Sequence, residues 1–452
     1  MSRLPAVFFP APRSSESART APARVNSFTF KMERIVAQKR PYTFIDLFAG
    51  CGGLSEGFLA TGEYEGLAHV EWETPMVNTL RKRLVDKWNH SEKDAKRRVV
   101  KFDVQKTDEL IHGQWSDESR KLYGTENDSL VIEKGLVGLI GTRKVDCIIG
   151  GPPCQAYSIA GRAQSPTGMK NDYRNYLFES FVKIVNYFKP KFFVFENVPG
   201  LLSACPGDKP VKERIYEAFD KIGYEIRKPE ELKKSVYCAE DFGVPQKRNR
   251  IIIIGVPKNS KIKLDSFYKS LDSYKVAEYK TVRDAIGKLP KLYPLETIED
   301  SGRSKISHKQ VSGKQVDLHV PRYNGKRDQT LFYEWLSKDM NSFSQEEKKK
   351  FYTKITGHTS NHIKYRNIEW DKPSPTIVAH LQKDGYMFIH PDIKQLRTIT
   401  IREAALLQSF PLDYKFLGSN PYCFKMIGNA VPVLFAKGIA NAMANAMKGG
   451  EK

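Results

Sequence analysis

The sequence predicts an α/β fold, a doubly wound and mostly parallel β-sheet with a second, smaller domain. Short, continuously apolar runs alternate with amphipathic stretches over residues 42–257. This alternation is typical of parallel strands covered by helices on both faces. It fades over residues 258–390, a basic block rich in Lys and Tyr, and returns near residue 397. The second domain is therefore predicted as an insertion.

The predicted strands and helices come from these two patterns. Each strand is a run of four to seven mainly apolar residues, and each helix has a single apolar face. The predicted strands cover residues 42–48, 67–71, 145–149, 192–195 and 250–255. The helices between them include one that begins at Leu54 and two at 176–188 and 211–222.

Four segments follow along the chain. Residues 1–40 are rich in Ala, Pro, Ser and Arg and are expected to be a disordered basic arm, with a transit peptide or an upstream start codon as alternatives. Residues 41–257 form the predicted catalytic domain and 258–390 the predicted inserted domain. Residues 391–452 would complete the catalytic domain.

The composition limits the possible partners. The chain has 452 residues, with 73 Lys and Arg against 52 Asp and Glu, so its formal net charge is +21. Such an excess favours nucleic acid, because each phosphate contact releases condensed counterions; a solvated basic surface is the alternative. The six cysteines form no Cys-x-x-Cys pair, which favours a reducing cytoplasm. No apolar run long enough to span a bilayer is expected.

A glycine-rich turn at residues 46–53, Asp-Leu-Phe-Ala-Gly-Cys-Gly-Gly, follows the first predicted strand. Glycines there let a ligand approach the backbone closely. Glu71 ends the next apolar run, where it could hold ribose hydroxyls, and Asp103 could accept from an exocyclic amine. Ser55 replaces the third glycine of the dinucleotide fingerprint, which favours an adenosyl cofactor over a pyrophosphate one. An ordinary tight turn is the alternative.

Three further motifs carry candidate catalytic groups. Cys154 follows Gly150-Gly-Pro-Pro at the end of a predicted strand, where a thiolate would be a nucleophile. Glu196, in Glu-Asn-Val-Pro, could act as an acid or hydrogen-bond donor if it is partly desolvated. Arg248 and Arg250 alternate along a strand and could face one anion or carbonyl group. Each arginine could equally be a solvated charge or a structural ion pair.

Two further patterns are a possible helix start and a pair of histidines. Thr400 and Glu403 have the spacing of a capping box, which predicts a helix start. His358 and His362 have a spacing compatible with metal binding. The Gly, Ser and Asn residues around them disfavour a helix, and no metal site is expected.

Together these motifs resemble the DNA (cytosine-5)-methyltransferase family. The resemblance covers residues 42–257 and 395–445 and includes, in order, Asp-Leu-Phe-Ala-Gly-x-Gly-Gly, Gly-Pro-Pro-Cys-Gln, Glu-Asn-Val, Gln-x-Arg-x-Arg, Arg-Glu-Ala-Ala and Gly-Asn-Ala-Val-Pro. It implies the fold of S-adenosylmethionine-dependent methyltransferases. It also implies that residues 258–390 are the target-recognition domain, facing the major groove and phosphates of DNA.

The resemblance assigns residues to a cofactor and to a reaction. S-adenosyl-L-methionine, released as S-adenosyl-L-homocysteine, would be bound without a metal by Phe48, Gly50, Gly52, Glu71, Trp72, Asp103, Val104, Pro152, Leu177, Asn429 and Val431. The Cys154 thiolate would attack carbon 6 of a flipped-out cytosine. Glu196 would bind ring nitrogen 3 and the amine, Arg250 the ring carbonyl, and Arg248 a supporting loop or phosphate.

The implied partner is double-stranded DNA. Expected DNA contacts are Gln155, Ser158, Arg162, Gln246 and Thr376, and the loop after Cys154 would close over the base. We expect a monomer in the prokaryotic cytoplasm, associated with the nucleoid through DNA, with no membrane partner. A restriction endonuclease would be linked to it functionally rather than bound.

Three other functions are alternatives to this one. A tRNA cytosine-5 methyltransferase of the same fold shares the cysteine and Glu-Asn-Val motifs, but its Cys-Phe-Thr signature is absent from this sequence. A catalytically silent DNA-binding paralogue is disfavoured by the intact Cys154, Glu196, Arg248 and Arg250. An oxidoreductase is disfavoured by Ser55.

Overall fold

The computed structural model describes residues 40–153, 177–206, 208–300, 302 and 305–450. From Pro41 onward, contacts between residues group these into one compact unit. The structure therefore does not divide the inserted block 258–390 from the rest, and its separate recognition role stays a prediction.

The central sheet has eight strands in the order β3-β2-β1-β4-β5-β8-β6, and β7 pairs with β8. The neighbouring pairs among β1 to β5 are parallel, whereas β8 is antiparallel to β5, β6 and β7. The strands are β1 Tyr42–Leu47, β2 Tyr64–Glu71, β3 Val99–Lys101, β4 Cys147–Gly150, β5 Phe192–Asn197, β6 Tyr224–Glu225, β7 Val236–Cys238 and β8 Asn249–Pro257. The predicted doubly wound, mostly parallel sheet is confirmed.

Helices cover both faces of this sheet. The first eight are α1 Gly53–Leu59, α2 Thr74–Trp88, α3 Glu92–Arg98, α4 Thr107–His112, α5 Asp117–Tyr123, α6 Ser129–Ile140 (interrupted at Gly135), α7 Leu177–Phe188 and α8 Val211–Lys221. The others are α9 Leu264–Asp272, α10 Val282–Ile286, α11 Lys326–Ser337, α12 Gln345–Thr356, α13 Ile401–Leu407, α14 Asn420–Asn429 and α15 Val433–Gly450. An antiparallel pair, β9 Leu292–Asp300 and β10 Lys305–Gln310, stands apart from the sheet.

Strand residues alternate between two apolar layers. Ile45 and Ile148 face a layer completed by α4, α6, α7 and α8. Phe44 and Ile149 face the other layer, which α1, α9 and α15 complete. Because α9 packs with α15 and β8, the core of the catalytic fold continues past residue 257 into the inserted block. A smaller cluster around Trp335 is confined largely to that block.

The capping box predicted at residue 400 is confirmed. The Thr400 hydroxyl accepts from the Glu403 backbone N–H at 3.1 Å, and Glu403 Oε2 accepts from the Thr400 N–H at 2.7 Å. The reciprocal bonds satisfy two donors that a helix start leaves unpaired. They fix the position at which the chain re-enters the catalytic fold.

The sequence expectation about membrane-length apolar runs was wrong. The stretch Asn420–Gly450 contains an 18-residue window of mean hydropathy 1.3, which meets the length and composition of a membrane span. In the fold, 72% of that window is buried. The stretch is two helices, α14 and α15, and α15 packs against α1 and α9 in the core.

The strand order reverses between β1 and β4. In doubly wound sheets, ligands bind outside the carboxyl ends of the strands at this point. The carboxyl end of β1 carries the glycine-rich turn, and that of β4 carries Gly150, which pairs with Leu47. The topology thus brings two separate sequence motifs to one edge of the sheet.

A buried ion pair joins the first two helices below this edge. Arg83 on α2 donates from Nε to Glu56 Oε2 on α1 at 3.0 Å and also contacts Oε1, and both side chains are 3% exposed. We predict that Arg83→Met lowers the free energy of unfolding by about 3–5 kcal/mol, because it leaves the Glu56 carboxylate buried without its cation.

Urea unfolding measures this difference. The matched control is Lys82→Met, which removes an exposed α2 pair, Lys82 to Asp86 at 2.6 Å, and should change stability by less than about 1 kcal/mol. Equal effects of the two substitutions would contradict the importance given to the buried pair.

Candidate active site

A cavity of about 380 Å³ opens at the carboxyl ends of β1, β4 and β5. Most of the predicted cofactor residues line it: Phe48, Gly50, Glu71, Trp72, Asp103, Val104, Pro152, Leu177, Asn429 and Val431. The candidate catalytic residues Glu196, Arg248 and Arg250 line the same cavity. One continuous space therefore contains both groups of side chains.

Gly52 is the predicted cofactor residue that does not line the cavity. It precedes α1 with a φ of 89°, in the region that favours glycine. A Cβ on it would lie 2.5 Å from Leu80 Cδ1 and 3.2 Å from the Tyr414 hydroxyl. The structure thus gives Gly52 a role in turning and packing the loop.

Glu71 fixes the glycine-rich turn through its carboxylate. Oε2 accepts from the Gly50 N–H at 2.8 Å, and Oε1 accepts from the N–H groups of Trp72 at 2.8 Å and Glu73 at 3.0 Å. Burial raises the pKa of Glu71, although these three bonds favour its charged form. A carboxylate has roughly four acceptor positions, so one is left for a ligand hydroxyl.

A polar network lies directly beneath the turn. The Ser55 hydroxyl donates to Asp46 Oδ2 and lies 2.8 Å from His69 Nδ1. Burial raises the pKa of Asp46 to about 7 and lowers that of His69 to about 3. Asp46 also lines the cavity, and its Oδ1 has no hydrogen-bond partner among the described residues. Ser55, which replaces the third glycine of the fingerprint, thus links β1 and β2 through its hydroxyl group.

The wall formed after β3 suits a flat aromatic group. Phe102 is buried and stacks on Trp115 at 4.2 Å between ring centroids, and the neighbouring Val104 is buried at the cavity. Asp103 Oδ1 accepts from the Gln105 N–H at 2.9 Å. Trp72, half exposed, lines the same cavity.

The other end of the cavity is built around Glu196. Its Oε1 lies 2.8 Å from Nε of Arg250, and the two side chains are 11% and 13% exposed. A Cβ on Gly151 would lie 2.6 Å from Glu196 Oε2, so only glycine leaves the carboxylate in place. The Asn197 side chain donates to the Pro152 carbonyl at 3.2 Å and ties the Gly-Pro-Pro segment to β5.

Arg248 is buried and directed at backbone carbonyls. Its guanidinium donates to Ile377 at 2.8 Å and to Gly428 and Ala430 at 3.0 Å each. Such contacts join the residue just before β8 to the inserted block and to the C-terminal segment. These bonds give Arg248 a structural role between the segments, and its expected support of a loop or a phosphate stays a prediction.

Gln246 requires a correction. It was expected to contact DNA, but it is fully buried and its amide is used within the protein. Nε2 donates to Gln408 Oε1 at 3.0 Å and to the Leu407 carbonyl, and Oε1 accepts from the Ile377 N–H at 2.8 Å. It thus offers DNA no polar group. Side chains in this extended segment alternate between its two sides. Gln246 is therefore buried like Arg248, and Lys247 is exposed.

Thr376 is partly buried, and its hydroxyl donates to the Lys247 carbonyl at 2.6 Å. Its role toward phosphate stays a prediction. The same holds for Cys154, Gln155, Ser158 and Arg162, which lie outside the described residues. The closing loop predicted after Cys154 lies outside them as well.

No three His, Cys, Asp or Glu side chains in the described part of the chain group as metal ligands do. His358 and His362 are both exposed there.

Asp46, Glu73, Met76 and Lys425 are among the cavity residues that sequence reasoning did not assign. Three of them had a usable signal. Asp46 lies near the end of β1 within the glycine motif, Glu73 follows the predicted Trp72, and Lys425 precedes the predicted Asn429 by one turn of α14. Met76 becomes a neighbour of the site only through the fold.

The chain matches a family model, that of the C-5 cytosine-specific DNA methylases, over residues 42–114 and 123–445. It is 34% identical to the type II methyltransferase M.Bpa9945I of Bacillus paralicheniformis, over 90% of this chain and 99% of that protein. It is 31% identical to the type II methyltransferase M1.HphI of Haemophilus parahaemolyticus, over 89% and 86%.

Solved structures share the fold. A DNA modification methyltransferase encoded within a prophage of E. coli superposes with a TM-score of 0.54 at 24% identity, over 90% of this chain and 99% of that one. The Entamoeba histolytica methyltransferase EhMeth gives 0.51 at 14% identity, over 91% and 99%. With a family match over most of its length, the chain belongs to the C-5 cytosine-specific DNA methylases and is a DNA cytosine-5-methyltransferase.

Proposed function

We propose that the protein transfers a methyl group from S-adenosylmethionine to carbon 5 of a cytosine that is flipped out of a specific duplex DNA sequence. The observation that carries this proposal is the single cavity that holds an adenosine-type pocket at one end and the Glu196–Arg250 pair at the other. Methyl donor and base would meet there, close to the Gly-Pro-Pro segment that leads to Cys154.

The residues present fit the cofactor. Glu71 has an acceptor position left for a ribose hydroxyl, and Trp72 and Val104 offer surfaces for an adenine ring. Asp46 Oδ1, buried at the cavity and without a partner among the described residues, suits a cationic group such as the ammonium of an amino acid. S-adenosylmethionine would supply a methyl group on an electrophilic sulfonium sulfur.

The cytosine end would activate the base. The Cys154 thiolate adds to carbon 6, which breaks the aromaticity of the ring and makes carbon 5 nucleophilic. Carbon 5 then takes the methyl group. A proton acceptor removes the proton from carbon 5, and elimination from carbon 6 releases the Cys154 thiolate. Glu196 binds ring nitrogen 3 and the exocyclic amine, so charge developing on the ring is stabilised.

Arg250 has two tasks in this proposal. It holds the Glu196 carboxylate through the 2.8 Å contact, and it donates to the ring carbonyl oxygen of the base. None of these groups can reach a base that is stacked in a duplex, so the target cytosine must first be flipped out. Flipping costs a few kcal/mol. The net charge of +21 favours the DNA complex in which that cost is met.

The similarity to type II methyltransferases supports a cellular role. We propose that methylation protects the cell's own DNA, in the cytoplasm, from a cognate restriction endonuclease that acts separately. Target recognition is assigned to residues 258–390.

Labelling tests the proposed substrate. Protein incubated with tritiated S-adenosylmethionine and either duplex DNA or tRNA should label DNA, and bisulfite sequencing of DNA from expressing cells should place 5-methylcytosine in one short sequence. Label in tRNA alone would contradict the proposal and favour the tRNA methyltransferase.

A glycine substitution tests the position of Glu196. We predict that Gly151→Ala lowers the methylation rate at least about 100-fold. Its Cβ would lie 2.6 Å from Glu196 Oε2 and displace the carboxyl group that stabilises charge on the cytosine ring. Single-turnover assays with DNA measure the rate.

The matched control is Gly124→Ala. A Cβ at that position meets Arg120 Cβ and Ile132 Cδ1 at 3.9 Å, an ordinary contact, and Gly124 does not line the cavity. This variant should keep the wild-type rate within about twofold. A Gly151→Ala enzyme as active as the control would refute the geometry assigned to Glu196.

A further inference from the structure

A salt bridge joins two sides of the cavity. Nζ of Lys425 lies 2.8 Å from both carboxylate oxygens of Glu73. Both residues line the cavity, and their side chains are 25% and 22% exposed, respectively. The pair therefore connects two segments 352 residues apart in sequence at the place where a ligand would be enclosed.

The Glu73 end of this bridge is continuous with the adenosine-binding side. Glu73 lies just before α2, and its N–H donates to Glu71 Oε1 at 3.0 Å. Trp72 lies between the two acids and is 50% exposed. A displacement of Glu73 would thus shift the Glu71 carboxylate and the Trp72 ring together.

The Lys425 end is continuous with the opposite side. Lys425 lies on α14, one turn before Asn429, and both residues line the cavity. The ammonium also lies 5.5 Å from the centre of the Tyr422 ring. Fixing Lys425 therefore fixes the helix turn that presents Asn429 and the backbone after it.

Charge gives the bridge a second effect. The Glu73 carboxylate acts on Glu71 with like charge and contributes to its raised pKa, after the larger contribution of burial. Lys425 neutralises Glu73 at 2.8 Å and so limits repulsion between the two acids. Loss of the lysine would loosen the turn that Glu71 organises.

We propose that the Glu73–Lys425 salt bridge is a strap that holds the two walls of the cavity around the bound S-adenosyl cofactor and slows its release. The inference rests on the proposed function, in which this cavity binds that cofactor. Glu73 and Lys425 are positioning residues, since they act through Glu71, Trp72 and Asn429. The strap makes cofactor retention depend on contact between the N-terminal half and the C-terminal segment.

The test measures release of S-adenosylhomocysteine, a stable probe, from the full chain by stopped-flow competition. Lys425→Met and Glu73→Gln should each release it about 5- to 20-fold faster than wild type, the range for loss of one coupled pair. The charge exchange, Glu73→Lys with Lys425→Glu, should bring the rate back to within about threefold of wild type.

Lys448→Met is the matched control. Lys448 pairs with Glu63 at 2.7 Å and also joins the C-terminal segment to the N-terminal half, but neither residue lines the cavity. This variant should release the probe at the wild-type rate, because it removes a long-range pair without opening the cavity wall.

The outcomes separate the two proposals. If wild type binds the probe and the single variants release it within twofold of the wild-type rate, the strap is refuted and the proposed function stands. A charge exchange no slower than the singles also refutes the strap, since direct pairing would then be unnecessary. If wild type binds neither S-adenosylmethionine nor S-adenosylhomocysteine, the proposed cofactor fails and the strap with it.

Discussion

The architecture of the active site depends on the hydrogen bonds that the buried guanidinium of Arg248 makes. It donates to carbonyls of Ile377, Gly428 and Ala430, which belong to the inserted block and to the C-terminal segment. Charge-assisted bonds of this kind contribute more than neutral ones, and their loss would leave buried carbonyls unpaired. One side chain thus brings together three remote parts of the chain and completes the cavity wall.

The sheet topology explains why these parts must meet. The switch between β1 and β4 provides the glycine turn and the Gly-Pro-Pro segment, but both leave the cavity open toward the C-terminal segment. Asn429 and Val431 close that side, and Gly53 allows it, because a Cβ there would lie 2.4 Å from the Val431 carbonyl. The interruption by the inserted block is compatible with one site, since the returning chain packs on the first half.

The sequence predicted the sheet and most of the cavity because each motif follows an apolar run and so lies at a strand end. The capping box at Thr400 involves a partner only three residues away, so it too could be predicted from the sequence. What escaped prediction depends on tertiary contacts. The antiparallel β8 has the same apolar run as a parallel strand, α9 joins the catalytic core through packing, and the pairing of Glu73 with Lys425 spans 352 residues. Gln246 alternates with Arg248, but the burial of both depends on remote contacts with Ile377 and Gln408.

The proposed mechanism depends on a transient bond between Cys154 and a flipped cytosine. The direct measurement uses a duplex oligonucleotide whose target cytosine is replaced by 5-fluorocytosine, which blocks loss of the group at carbon 5 and traps the adduct. With S-adenosylmethionine present, we expect a covalent complex on a denaturing gel, mapped to Cys154 by peptide mass spectrometry and absent from Cys154→Ala. Methylation of the unfluorinated duplex without an adduct at Cys154 on its fluorinated counterpart would contradict the proposed mechanism.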